Sequence, residues 1–137
     1  MITYIVLRKN LNHILAWAHA KAIQNTLAQV PCHFALSDQF GDASLVRNAL
    51  IQKGLPIVLY QRPKAEDNIA VAAASVIARA HFLTELKKLS DELGFPLPKG
   101  SSDQTKNIGR ELVKKFGEEV LQYSAKLHFK LTEEILS

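Results

Sequence analysis

Ser37-Asp38-Gln39-Phe40-Gly41, then Pro56-Ile57-Val58-Leu59-Tyr60, then Lys64-Ala65-Glu66-Asp67-Asn68-Ile69-Ala70-Val71-Ala72-Ala73-Ala74-Ser75-Val76-Ile77-Ala78-Arg79 is the part of the sequence whose reading decides the fold. The short apolar run at residues 32–36 has the length and flanks of a buried strand, and Asp38 stands at its end. Gly41-Asp42 reads as a turn and cap; Leu45, Val46, Ala49 and Leu50 mark a short helix ended by Gly54, and residues 56–61 form the next strand. A strand, helix, strand unit of this length implies a right-handed parallel crossover, which brings Asp38 and Glu66 to one end of the sheet. Open α/β sheets place their ligands at that end. Glu66 precedes a helical pattern over residues 67–93, where backbone N–H groups favour negative charge. Ile69, Ala72, Ala73, Val76, Ile77, Ala80, Leu83 and Leu86 make a core stripe, and the small run at 72–75 permits close packing. Two acids meeting there suggest a divalent metal site. On the residues alone two plainer readings stay open: Asp38 capping the turn at Gly41, and Glu66 serving as a helix N-terminal acid.

Toward the N-terminus, residues 2–7 alternate as a strand does, and residues 11–29 carry helical spacing closed by Pro31. Trp17 lies in that helix, where a core or interface role fits better than base stacking. His13 and His19 are six apart and so do not share a helix face as a zinc pair would; with His33 they read as ordinary surface or core histidines. Cys32 falls in the expected strand and reads as an inert core thiol. Toward the C-terminus, Gly94 stops the long helix and residues 95–98 form a stiff connection. Lys99-Gly100-Ser101-Ser102 is a glycine-and-hydroxyl loop that suits either a turn or a phosphate contact. Two short helices follow, broken near Gly117, with Ile108, Leu112, Val113 and Phe116 inward. Lys114-Lys115 reads as a solvated face, and Lys126, His128 and Lys130 as a basic row on a half-exposed strand or loop.

Composition sets bounds. A chain of 137 residues with 47% apolar content supports one core and is expected to form one domain. No uninterrupted apolar run approaches the roughly 20 residues that span a bilayer, and the first residues lack the charge order and cleavage site of a signal peptide. The formal charge of +4 permits a phosphate-bearing partner without demanding one. A single cysteine excludes an internal disulfide and agrees with a reducing cytosol, so a cytoplasmic location is expected. No P-loop or dinucleotide fingerprint and no internal repeat is present.

Several words in one register carry a resemblance. Ser-Asp-Gln-Phe at 37–40, Lys-Ala-Glu at 64–66 with Ala-Val-Ala-Ala-Ala-Ser-Val-Ile-Ala-Arg at 70–79, Leu-Pro-Lys-Gly at 97–100 and Ala-Lys-Leu-His-Phe-Lys at 125–130 resemble the C-terminal half of bacterial ribonuclease HIII, a branch of the type 2 ribonuclease H enzymes. Residues 11–19 resemble a segment upstream of the Asp-Gln-Phe word in that family. The resemblance implies an α/β fold, a ribonuclease H-like mixed sheet flanked by helices and truncated at its N-terminal side. Residues 1–137 would then be a partial catalytic domain, without the first strands that carry the family's Asp-Glu pair and without its small N-terminal substrate-binding domain. The implied reaction is hydrolysis of the RNA strand of an RNA–DNA hybrid, with two Mg²⁺ or Mn²⁺ ions held by four carboxylates. Asp38 would be the third of these and Glu66 the fourth, with Asp67 as fallback. Ser75, Arg79, Lys99 and Gly100 are the implied substrate contacts. Two other classes fit: an inert remnant that binds nucleic acid, and one half of a split enzyme whose partner chain supplies the missing strand.

Overall fold

The computed structural model describes residues 11–127 and 129–137. The strand expected at residues 2–7, and His128 of the basic row, lie outside the described residues. The elements run α1 (Leu11–Leu27), β1 (Phe34–Asp38), α2 (Ser44–Gln52), β2 (Val58–Arg62), a 3-10 turn (Ala65–Asp67), α3 (Ile69–Leu93), α4 (Asp103–Phe116), a second 3-10 turn (Glu118–Val120), α5 (Leu121–Ser124) and α6 (Lys130–Leu136). Where composition leads one to expect a single core, the chain divides into two compact units between Ile77 and Ala78, inside α3.

In the first unit, β1 and β2 pair in parallel from Phe34 opposite Val58 to Asp38 opposite Arg62, with α2 between them in sequence. The expected strand, helix, strand unit is present. Its first strand lies two residues later than its apolar run suggests. Residues following α1 are used in a turn, with Gln29 N–H and Val30 N–H both donating to Thr26 O, and bonding to β2 opens only where Val58 N–H meets His33 O at 2.9 Å. Cys32 therefore precedes the strand and is exposed, which corrects its reading as a core thiol. Ala16 and Ala20 of α1 pack with Val46 and Leu50 of α2, and Ile57 and Leu59 close the cluster from the β2 side. Two alanines four apart put a smooth face on α1 and let the helices approach closely. On alternate positions Phe34, Val58 and Tyr60 are 61%, 51% and 55% exposed, their row tied by a Phe34–Tyr60 ring contact at 5.9 Å. Parallel sheets are ordinarily covered on both faces; here the described residues bury one.

Helix α3 opens where the Asn68 side chain accepts Ala70 N–H at 3.0 Å. Its apolar stripe is not a core stripe: none of its residues is buried, and Ile69 is 86% exposed. No other described element packs extensively along it; Ile69, Val76 and Ile77 are exposed, while Leu93 at its end is partly buried against the cluster of the second unit. Among the described residues it is the one helix long and apolar enough to cross a membrane by length and composition, a test that the core helix of a water-soluble domain also passes.

In the second unit, Leu112, Val120, Leu121 and Ile135 form the core. Gly109 is a requirement of that packing, since a Cβ there would lie 2.5 Å from Ile135 Cδ1. Ser102 caps α4 by accepting Thr105 N–H, and Gly117, at φ 83°, ends it as expected. Phe116 is half exposed rather than inward, held edge-on to Phe95 at 6.2 Å with the Lys115 ammonium over both rings. Lys130 opens α6 instead of lying on a half-exposed strand or loop.

Candidate functional site

Asp38 is the last residue of β1, exposed at the C-terminal end of the parallel pair. Its Oδ1 accepts Ala65 N–H at 3.0 Å. That bond ties the acid to the residue before Glu66, across 27 positions of sequence. The plainer reading of Asp38 as the cap of the Gly41 turn does not hold. Gly41 O is met by the Gln39 side chain, and just ahead of α2 it is Asp42 that accepts Ser44 N–H, at 2.8 Å.

Glu66 sits in the 3-10 turn that β2 reaches through Lys64, a residue in the left-handed region at φ 55°. It is exposed and makes no hydrogen bond or ion pair with another described residue. Asp67, the fallback for the same role, is engaged elsewhere. Both its oxygens face the Arg62 guanidinium, Nη1 donating to Oδ2 at 2.9 Å and Nη2 pairing with Oδ1. This fork holds the Asp67 carboxyl below the usual carboxylate range and raises the guanidinium of Arg62, with a smaller contribution from the charge of Glu66.

One contributor escaped the sequence reading. His19, on α1, meets Ser37 Oγ through Nδ1 at 3.3 Å, and its ring lies 4.9 Å from that of Phe40. Burial pushes its pKa down, while the charge of Asp38 pushes the other way by less. His13 and His33 are exposed. The only signal in the sequence was that His19 lies three residues from the buried Ala16 and one from Ala20, the face of α1 that turns to the sheet. Beneath the same strand ends, Gln61 stands opposite Ser37 in register, and its buried amide has no hydrogen-bond partner among the described residues.

Ser75 is exposed on α3 within the first unit. In the second, Arg79 places its guanidinium 5.3 Å from the Phe82 ring centre. Lys99 and Gly100 are exposed on a loop where Gly100 has φ 87°, at the rim of an apolar cavity of about 410 Å³ reaching in to Leu112 and Ile135.

Two exposed carboxylates with free oxygens suit a hard divalent cation, which takes oxygen ligands. Among the described residues no group of three or more His, Cys, Asp or Glu side chains is placed to hold a metal ion.

The sequence profile of ribonuclease HII matches residues 2–132. Ribonuclease HIII of Protochlamydia amoebophila (strain UWE25) is 48% identical over 128 residues, 93% of this chain and 42% of that protein. Ribonuclease HIII of Chlamydia pneumoniae is 44% identical over 132 residues, 94% of this chain and 44% of that protein. Among solved structures, Bst-RNase HIII in complex with Mn²⁺ superposes with a TM-score of 0.84 at 30% identity, covering 93% of this chain and 44% of that one. A point mutant of the same protein gives 0.85. The chain spans less than half the length of the relatives it matches. With an α/β fold that superposes on ribonuclease HIII and a profile match over nearly its whole length, the chain belongs to the ribonuclease HII family.

Proposed function

We propose that this chain carries half of the acid site of a hybrid-specific endoribonuclease, which cleaves the RNA strand of RNA–DNA hybrids in the cytoplasm with Mg²⁺ or Mn²⁺. The observation that carries the reading is the bond from Ala65 N–H to Asp38, which joins the end of β1 to the turn bearing Glu66. Asp38 and Glu66 are the residues that would hold the ions; Asp67 is set apart by Arg62. When bound, the ions would activate the attacking water and stabilise the leaving oxygen. The chain's own part is orientation. Ala65 N–H fixes one oxygen of Asp38 and leaves the other for a cation, while the 3-10 turn presents Glu66 to solvent. A hybrid is recognised by shape and 2′-hydroxyls; within the first unit Ser75 offers a polar contact, and within the second Arg79, Lys99 and Gly100 offer basic and polar ones.

A pair of acids with no third ligand grouped beside them among the described residues favours a working unit in which further carboxylates come from another stretch of polypeptide. The half-covered sheet supports this, because Phe34, Val58 and Tyr60 present an apolar face for such a segment to cover. The test is Mg²⁺-dependent cleavage of an end-labelled hybrid, by the chain alone and after adding the part of the Protochlamydia ribonuclease HIII outside the matched segment. Cleavage only in the mixture is the expected result. No cleavage in either, with the mixture shown to associate, would leave an inert nucleic-acid-binding remnant as the correct description.

A further inference from the structure

We propose that His19 is a positioning residue for the acid site: by donating its Nδ1–H to Ser37 Oγ it locks the last residues of β1 and keeps the Asp38 carboxylate in place. The inference rests on the reading of Asp38 as a cation-holding acid. Ser37 is buried and has one hydroxyl proton, which goes to the carbonyl oxygen of Asp38 at 2.9 Å. At its 3.3 Å contact with His19 Nδ1 the same oxygen can then only accept, so the imidazole must donate from Nδ1. A ring nitrogen's protonation follows the hydrogen bond it makes; this contact selects the Nδ1–H tautomer, the less common one in free neutral histidine.

The result is a hold from two sides. From α1, anchored by buried Ala16 and Ala20, the sequence His19, Ser37, Asp38 carbonyl fixes the backbone. From the 3-10 turn, Ala65 N–H fixes the carboxylate. The Phe40 ring, 4.9 Å from the imidazole, flanks it and limits its rotation. A carboxylate already ordered binds a cation without an added ordering cost, and partners that orient ligands in this way typically matter about 10- to 100-fold in affinity.

The test uses the 137-residue chain. Without metal, imidazole ¹⁵N spectra are expected to show His19 protonated at Nδ1 and bare at Nε2, and Ser37→Ala is expected to abolish that preference. Three variants then separate donor from bulk: His19→Asn places an N–H where Nδ1 sits, His19→Gln places one where Nε2 sits, and His19→Ala places none. The readouts are the Ala65 amide resonance, which senses its bond to Asp38, and the Mn²⁺ concentration that half-broadens it. We expect His19→Asn to stay within about twofold of the unsubstituted chain and His19→Gln and His19→Ala to need about tenfold more Mn²⁺. A merely structural histidine would lower the melting temperature without separating Asn from Gln. An Nε2–H tautomer, or an Ala65 resonance and Mn²⁺ midpoint unchanged in His19→Ala, overturns the proposal. Absence of Mn²⁺ broadening at Ala65 in the unsubstituted chain is a different failure, that of the metal reading. The tautomer and the metal-free Ala65 shift still decide what His19 does.

Discussion

At the scale of single residues, the divergent fates of Glu66 and Asp67 are the sharpest consequence of the structure. Adjacent acids are hard to tell apart in a sequence, and the ion pair that distinguishes them depends on Arg62, the last residue of β2, reaching into the turn. In the complemented cleavage assay, Asp38→Asn and Glu66→Gln should each lower the rate by about 10³-fold, the loss of several kcal/mol of charge stabilisation. Asp67→Asn should stay within about tenfold of the unsubstituted rate, as the pair it removes is exposed. His19 makes a second prediction. Its folded pKa is lowered, so the unfolded chain binds more protons, and stability is complete above the ordinary value of 6.5 and falls as pH drops below it. Between about pH 7.5 and about pH 5.5 the melting temperature should drop more for the unsubstituted chain than for His19→Phe. The placement of Asp38 at a strand's end and of Glu66 between strand and helix was legible because both end or follow apolar runs of strand length; the contact of His19 was not, because its partner lies 18 positions away and no local pattern records it.

Elements were legible in kind and less so at their ends. The apolar run at 32–36 marked a strand correctly, yet pairing begins where β2 can reach it, and the turn after α1 occupies the preceding residues. The breaks at Gly54, Gly94 and Gly117 were visible because each adopts a positive φ that other residues resist. Helix α3 shows the opposite limit: its stripe has the period of a core helix, but periodicity reports what a helix can bury and not what covers it. Because each unit has its own hydrophobic cluster, damage to one should be local. Leu112→Ala should destabilise the second unit by about 2–5 kcal/mol, read as faster amide exchange across α4 and α6 with little change in α1 and α2. Equal acceleration in both units would show that they unfold as one.

For the molecule as a whole, the family profile and the superposition agree on ancestry. Covering the open sheet face should protect β1 and β2 from exchange when the complementary part of the Protochlamydia protein is added, and Tyr60→Lys should weaken that association about tenfold, the loss of roughly 1.4 kcal/mol from an apolar contact. The parallel strand, helix, strand unit was readable from the apolar runs and the fold class from the family resemblance, while the division into two units was not, since it falls inside a helix with no break in its pattern. The displacement of Cys32 from interior to surface has a practical corollary. The chain's sole thiol faces solvent beside the sheet, so air-exposed preparations should accumulate a covalent dimer that a reductant dissolves. The same atom offers a unique attachment point for a fluorophore that reports when β1 is met by another polypeptide.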